Sequence, residues 1–270
     1  MNEILFFRLR SVVFAILASL LVLTGCQSAS GDKPSFQNIG EFTVKSLPDH
    51  CKEVTDGMGR RLILVPRGQK PPEGYEKHQI IEVPVQRGVA YSTTDVAILK
   101  ALGIVAEVLV GVTRDKEEWT VPEVIQGMEN GKITYLGQPN AIDLERLKAI
   151  RPELVLTWDQ AIIPMLRELD IPCVITSTGM AKDLDTRVRF VQFLAPFFNR
   201  EPEAKLFVAR VSRAVERLEK ISASAQNHPK VIWGDIFEKR VRVEPGNSWA
   251  AEMVRLAGGE YLFEDIFGAS

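Results

Sequence analysis

The chain has 270 residues, 46% of them hydrophobic and 25% charged, with a formal net charge of −2. That is an ordinary globular balance, long enough for one large or two small domains. It gives a nucleic-acid partner no basic footprint, and His50, His78 and His228 are too scattered to ligate a bare metal ion.

Residues 1–25 read as an export signal. Arg8 and Arg10 precede an apolar run over residues 11–23, and Leu23-Thr24-Gly25-Cys26 closes it. The run falls short of the roughly 20 residues that cross a bilayer as helix. The Leu-Thr-Gly-Cys ending resembles the bacterial lipobox, which implies that Cys26 is acylated and becomes the mature N-terminus. Two or more acyl chains give lasting attachment. The expected product is an extracytoplasmic lipoprotein, a soluble body anchored to a membrane from outside the cytoplasm. A plain signal peptide, or a buried helix with a chance cysteine, is the alternative. Export permits a disulfide between Cys51 and Cys173, but Cys173 sits in the strand-like IPCVIT, so two unpaired cysteines are expected.

Residues 26–48 are rich in Ser, Gly, Lys and Asn and read as a tether running into a first strand, EFTVKSL. A hairpin follows: Lys52 to Thr55 and Arg61 to Val65 flank the turn-prone Asp56-Gly57-Met58-Gly59. From about residue 80, the strand-length apolar runs IIEVPV, EVLVGV, ELVLTW and PCVIT alternate with amphipathic stretches. One such stretch is Val96 to Leu102, closed by Gly103; another is Asp143 to Ile150, with the aspartate as N-cap. Short links between strand and helix predict an α/β fold with a mainly parallel sheet covered on both faces. After Thr178 the alternation stops. Leu184 to Phe197 reads as helix, and Pro202 opens a second one over 202–222, roughly 32 Å long at 1.5 Å per residue. Phe207, Val211, Ala214, Leu218 and Ile221 line one side of it. A helix of that length between two α/β segments reads as a rigid strut. A strand from Lys230 to Trp233, a hairpin-like Arg240 to Val243 and a helix from Trp249 to Leu256 begin the next unit. The expected organisation is an N-terminal lobe over 49–180, a helical linker over 181–228 and a partial C-terminal lobe over 229–270.

Several segments resemble, in order, the periplasmic-type substrate-binding proteins of ABC importers for iron–siderophore complexes, haem and cobalamin. They are VTDGMGRRLILVP, YSTTDVAILKALG, LVGVT, LGQPNAIDLERLKAIRPELVLTW, ELDIPCVIT and EPGNSWAAEMVRLAGGEYLFED. The resemblance covers about residues 50–266. It implies two α/β lobes joined by one long helix, ligand in the cleft between them, a monomer, and an ABC permease as partner. Members of that family run on beyond this point, so the resemblance also implies a C-lobe of which only the beginning is present.

In open α/β sheets, ligands bind beyond the carboxyl ends of the strands. The residues expected there are Tyr91, Ser92 and Thr93, then Arg114 and Trp119, Gln138 and Asn140, Trp158 and Asp159, and Ser177 and Thr178. Trp233, Asp235, Arg240, Arg242 and Trp249 belong to the start of the C-lobe. Indoles suit a large planar ligand, and guanidiniums suit the anionic oxygens of a metal chelate. The other reading of each tryptophan is a core side chain, and of each arginine a solvated one. Glu123 and Glu252 match the positions at which the family's lobes meet permease arginines, although a glutamate in a first helical turn is also simply favoured by the dipole.

No resident cofactor is expected, and catalysis finds little support. Gly246-Asn247-Ser248-Trp249-Ala250 lacks the last glycine and the preceding strand of a nucleophile elbow. Gly57-Met58-Gly59 has no third glycine for a dinucleotide. The alternatives to a solute-binding role are a structural lipoprotein and an extracytoplasmic hydrolase.

Overall fold

A computed structural model of the chain describes residues 42–177 and 183–268. The expected signal segment, Cys26 as the expected acylation site, most of the expected tether and Thr178 lie outside the described residues.

Four strands open the fold. β1 (Thr43–Ser46), β2 (Lys52–Thr55) and β3 (Arg61–Pro66) form an antiparallel meander, and β4 (Ile80–Val83) adds to β3 in parallel. The β2–β3 turn closes as its sequence demands. Asp56 accepts from the backbone N–H of Met58 and of Arg60, each at 3.0 Å, and Gly59 takes φ 73°. IIEVPV is a strand, but not in the main sheet. Pro84, with no N–H for a ladder, follows β4, and the chain then crosses into a second sheet.

That second sheet has the order β7-β6-β5-β8-β9, all parallel. Its strands are β5 (Gly88–Ala90), β6 (Leu109–Val112), β7 (Thr134–Tyr135), β8 (Leu154–Thr157) and β9 (Cys173–Ile175). Every residue of β5, β6, β8 and β9 is buried, as expected of strands covered on both faces. Period-2 alternation divides them between two cores. Ala90, Leu109, Leu154, Leu156 and Val174 join one core, which includes α1 (Thr93–Ala101) and α6 (Leu184–Leu194). Val89, Val110, Val155 and Cys173 join the other, with Leu147 of α4 (Leu144–Ala149) and Leu166 of α5 (Ile163–Glu168). The intervening helices α2 (Val105–Val108) and α3 (Pro122–Glu129) contribute Val105, Val108 and Val124 to the first core. Cys51 and Cys173 are both buried and unpaired.

After α6 a 3-10 turn (Ala195–Phe198) ends at Asn199 with φ 53°, and α7 (Glu201–Ala223) follows with Pro202 in its first turn. α7 has 23 residues, about 34 Å at 1.5 Å per residue. The stripe along one side of it loses its cover toward the C-terminal end. Phe207 packs on the core, whereas Leu218 is 44% and Ile221 60% exposed. Beyond it, β10 (Lys230–Val231) pairs in parallel with β13 (Glu260–Tyr261), while β11 (Gly234–Phe237) and β12 (Arg240–Val243) form a separate hairpin. Glu238 and Lys239, both at positive φ, make its two-residue turn. α8 (Trp249–Leu256) is capped by Ser248 and stops before Gly258, at φ 80°.

Candidate functional site

The strand order places β5 between β6 and β8. The chain leaves β5 first to one side and later to the other, and the crevice at such a switch point lies beyond the carboxyl ends of the strands. The floor there is a row of buried hydroxyls. Thr113 Oγ1 donates to the Tyr91 carbonyl at 2.7 Å, Thr157 Oγ1 accepts from the Asp159 N–H at 3.0 Å, and the Thr176 N–H donates to the Thr157 carbonyl at 2.8 Å. These bonds fix the strand ends relative to one another.

Ser92 caps α1 in a reciprocal box. Its Oγ accepts from the Asp95 N–H at 3.0 Å and donates to Asp95 Oδ2 at 2.7 Å, and Oδ2 also takes the Ser92 N–H at 3.0 Å. Asp95 is wholly buried and its Oδ1 has no partner. Burial pushes its carboxyl pKa upward, against the pull of the Ser92 and Thr176 hydroxyls. Nothing in the sequence separates Asp95 from an ordinary first-turn acid.

Tyr91 is 2% exposed, its hydroxyl buried without a partner in the core beneath α4 and α5. Burial, helped by nearby Asp159, makes that phenol a weaker acid. Of the two readings open for Trp119, the structure takes the core. The indole is 6% exposed and its Nε1–H donates to the Arg114 carbonyl at 3.2 Å. Thr93, Arg114, Asn140 and Trp158 are exposed at the same end of the sheet, with Trp158 at 49%. Arg114 pairs with Glu118 at 3.0 Å. Gln138 is exposed in the loop after β7, within reach of the Tyr135 hydroxyl at 3.5 Å, while Asp159 and Ser177 are half-buried.

The opening hairpin also reaches this end of the sheet. Asp56 Oδ2 accepts from the Ile175 N–H at 3.1 Å and from Arg60 Nη2 at 2.6 Å, and Arg60 Nη2 also donates to the Cys173 carbonyl at 3.0 Å. Buried Asp56 and half-buried Arg60 therefore stitch the turn to the end of β9. A turn-forming Asp followed four residues later by Arg is too common in hairpins to have signalled it.

A second group lies beyond α7. Trp233 and Trp249 meet edge to face at 6.0 Å, and the Arg187 guanidinium lies over the Trp249 ring at 4.7 Å. Trp233 is 41% exposed, and Asp235, Arg240 and Arg242 are exposed on the β11–β12 hairpin, with Asp235 opposite Arg242 in register. Sequence reasoning missed Arg187, which reads as one polar position of an amphipathic helix. Glu252 Oε2 accepts from the Leu184 N–H at 2.8 Å and so caps α6 from α8. Glu123, in the first turn of α3, stands 3.4 Å from Lys100. The N–H of its own residue, then Lys100, hold its carboxyl below the usual range. Among the described residues no three His, Cys, Asp or Glu side chains converge as metal ligands, and no helix is long and apolar enough to cross a membrane.

The periplasmic binding protein family matches residues 89–269. An uncharacterized lipoprotein of Methanocaldococcus jannaschii is 26% identical over 234 residues, covering 80% of this chain and 56% of that protein. A vitamin B12-binding protein of Vibrio campbellii is 26% identical over 187 residues, 67% of this chain and 62% of its own length. The chain thus spans about three fifths of the length of these two curated relatives. Among solved structures, a possible iron-binding, periplasmic solute-binding protein from Staphylococcus epidermidis superposes with TM-score 0.55 at 18% identity, covering 68% of this chain and 70% of that one. The α/β fold with mainly parallel sheets is shared with it. The match runs from the central strand of the parallel sheet through α6 and α7 and past α8, and on that basis the chain belongs to the periplasmic binding protein family.

Proposed function

We propose that this protein is the extracytoplasmic solute-binding component of an ABC importer, taking an iron–siderophore complex or a related metal chelate as cargo and passing it to the permease. The family match over 89–269 carries the reading. The exposed indole of Trp158 above a rigid hydroxyl floor supports it. Cargo would rest on Ser92, Thr93, Arg114, Asn140 and Trp158 from the parallel sheet, with Trp233, Arg242 and Trp249 from the C-terminal segment. Tyr91 and Trp119 would support that surface from below. Trp249, packed against Trp233 and Arg187 before binding, keeps its share of the ordering cost low. Glu123 and Glu252 would meet the permease, Glu252 by exchanging its bond to Leu184. Acylated Cys26 would hold the protein at the membrane as a monomer. Catalysis has no part in this role.

The test is calorimetric titration of the purified protein with a ferric hydroxamate, a ferric catecholate, haemin and cobalamin. One of them is expected to bind saturably, with Trp158→Ala weakening it about tenfold, as loss of an aromatic anchor does. Absence of binding by all four to a folded protein overturns the proposal. In cells, Glu123→Arg should leave that affinity unchanged and abolish uptake.

A further inference from the structure

A groove of about 290 Å³ runs between α1, α6 and the first half of α7. Its walls are apolar: Ala97, Ile98 and Ala101 from α1, Val188 and Val191 from α6, and Phe207 from α7. Two polar side chains line it, Thr94 and Arg187, each from the first turn of its helix. An apolar groove alone would say little about its occupant, but Arg187 narrows the choice. Its guanidinium lies on Trp249, and its Nε–H is buried without an acceptor. Burial works against its charge, and Glu244 is the neighbour that favours it. A guanidinium stays charged regardless, so a buried donor here is complementary to an anionic oxygen, the acceptor with which Arg makes its strongest bonds.

We propose that this groove binds an amphipathic carboxylate, with the carboxylate at Arg187 and Thr94 and an unbranched acyl chain along Ala97 to Ala101. At ~30 Å³ for a group the size of a water molecule, the volume holds a chain of about eight to ten carbons. Affinity then rises about threefold to fourfold per methylene until the groove is full. The carboxylate end adjoins the proposed chelate surface, because Arg187 also packs on Trp249, whereas Ala97 and Ala101 belong to the groove alone.

Calorimetry of the purified protein with hexanoate, octanoate, decanoate and decanol tests it. The expected result is saturable one-to-one binding that tightens from hexanoate to decanoate. Arg187→Gln weakens decanoate about tenfold or more and leaves decanol unchanged, since only the carboxylate uses the charge. Ala97→Phe, which fills the groove from an exposed position, abolishes binding of both; Ala101→Leu does the same should the phenylalanine perturb folding, with thermal melting as the check. The proposal is overturned if decanoate does not bind the folded protein, if both groove-filling variants leave binding intact, or if decanol binds the wild type as tightly as decanoate. Chelate titration of the Ala97→Phe variant, whose substitution lies at no residue of the chelate surface, reads that surface separately.

Discussion

The parallel sheet of residues 88–177 and the segment of residues 229–268 use the same grammar of short strand, helix and glycine stop, yet they bury their apolar residues very differently. In the first, helices lie on both faces, and β6 and β8 are buried at every position. In the second, Ile236 and Val241 oppose one another across β11 and β12 and remain 81% and 65% exposed. There, among the described residues, Ala251, Val254 and Tyr261 form a small buried cluster, with Val231 and Phe263 against it. A strand is stabilised by what covers its faces, and an isolated two-stranded hairpin has little intrinsic stability. Stability should therefore be concentrated in the N-terminal region, and three substitutions probe that contrast.

The largest effect belongs to Phe197→Ala. Phe197 is fully buried in the core that covers one face of the parallel sheet and meets Phe193 edge to face, so its loss should cost about 3–5 kcal/mol, read as a fall in the urea midpoint. A loss below about 1 kcal/mol would mean that the core relaxes freely, and the contrast would fail. Next comes Asp95→Asn, which asks whether dense packing carries an electrostatic cost. The raised pKa means that the folded state keeps this proton above the unfolded value of about 3.9. Its contribution is therefore full below that value and is lost as pH rises through the folded pKa. Asp95→Asn should remove the slope and stabilise by about 1–3 kcal/mol near pH 8, because one carboxyl oxygen lacks a partner. Parallel midpoints for the two proteins from pH 4 to pH 8 would refute this. The smallest effect should come from Ile236→Ser, within about 0.5 kcal/mol of wild type. A larger loss would show that the hairpin face is covered in solution.

Much of the architecture was written plainly in the sequence. The unbroken apolar runs in LVGV and in the LVL of LVLT mark strands covered on both faces. Asp143 marked the start of α4, and its side chain does accept from the Arg146 N–H there. Two strands escaped because they are too short to show a period: Gly88–Ala90 has three residues and Thr134–Tyr135 has two. Pairing with the four-residue strands β6 and β8, not local propensity, makes them strands. The candidate site was legible only as a set of loop positions. Composition puts tryptophans near strand ends, but whether an indole faces solvent depends on long-range packing, which is how Trp119 and Trp158 part company. Asp56, Asp95 and Arg187 were invisible for a related reason. Each matters through a partner distant in sequence or through a bond left unmade, and neither leaves a local pattern.

Cys51 and Cys173 are buried, and burial is the first cause raising the pKa of both thiols. In a chain beginning at Gln27, a maleimide dye should pass over both native sulfurs. A cysteine introduced at Ile236 would then be the sole reactive handle, so the environment of the C-terminal hairpin becomes readable by fluorescence without stripping the protein of its own thiols.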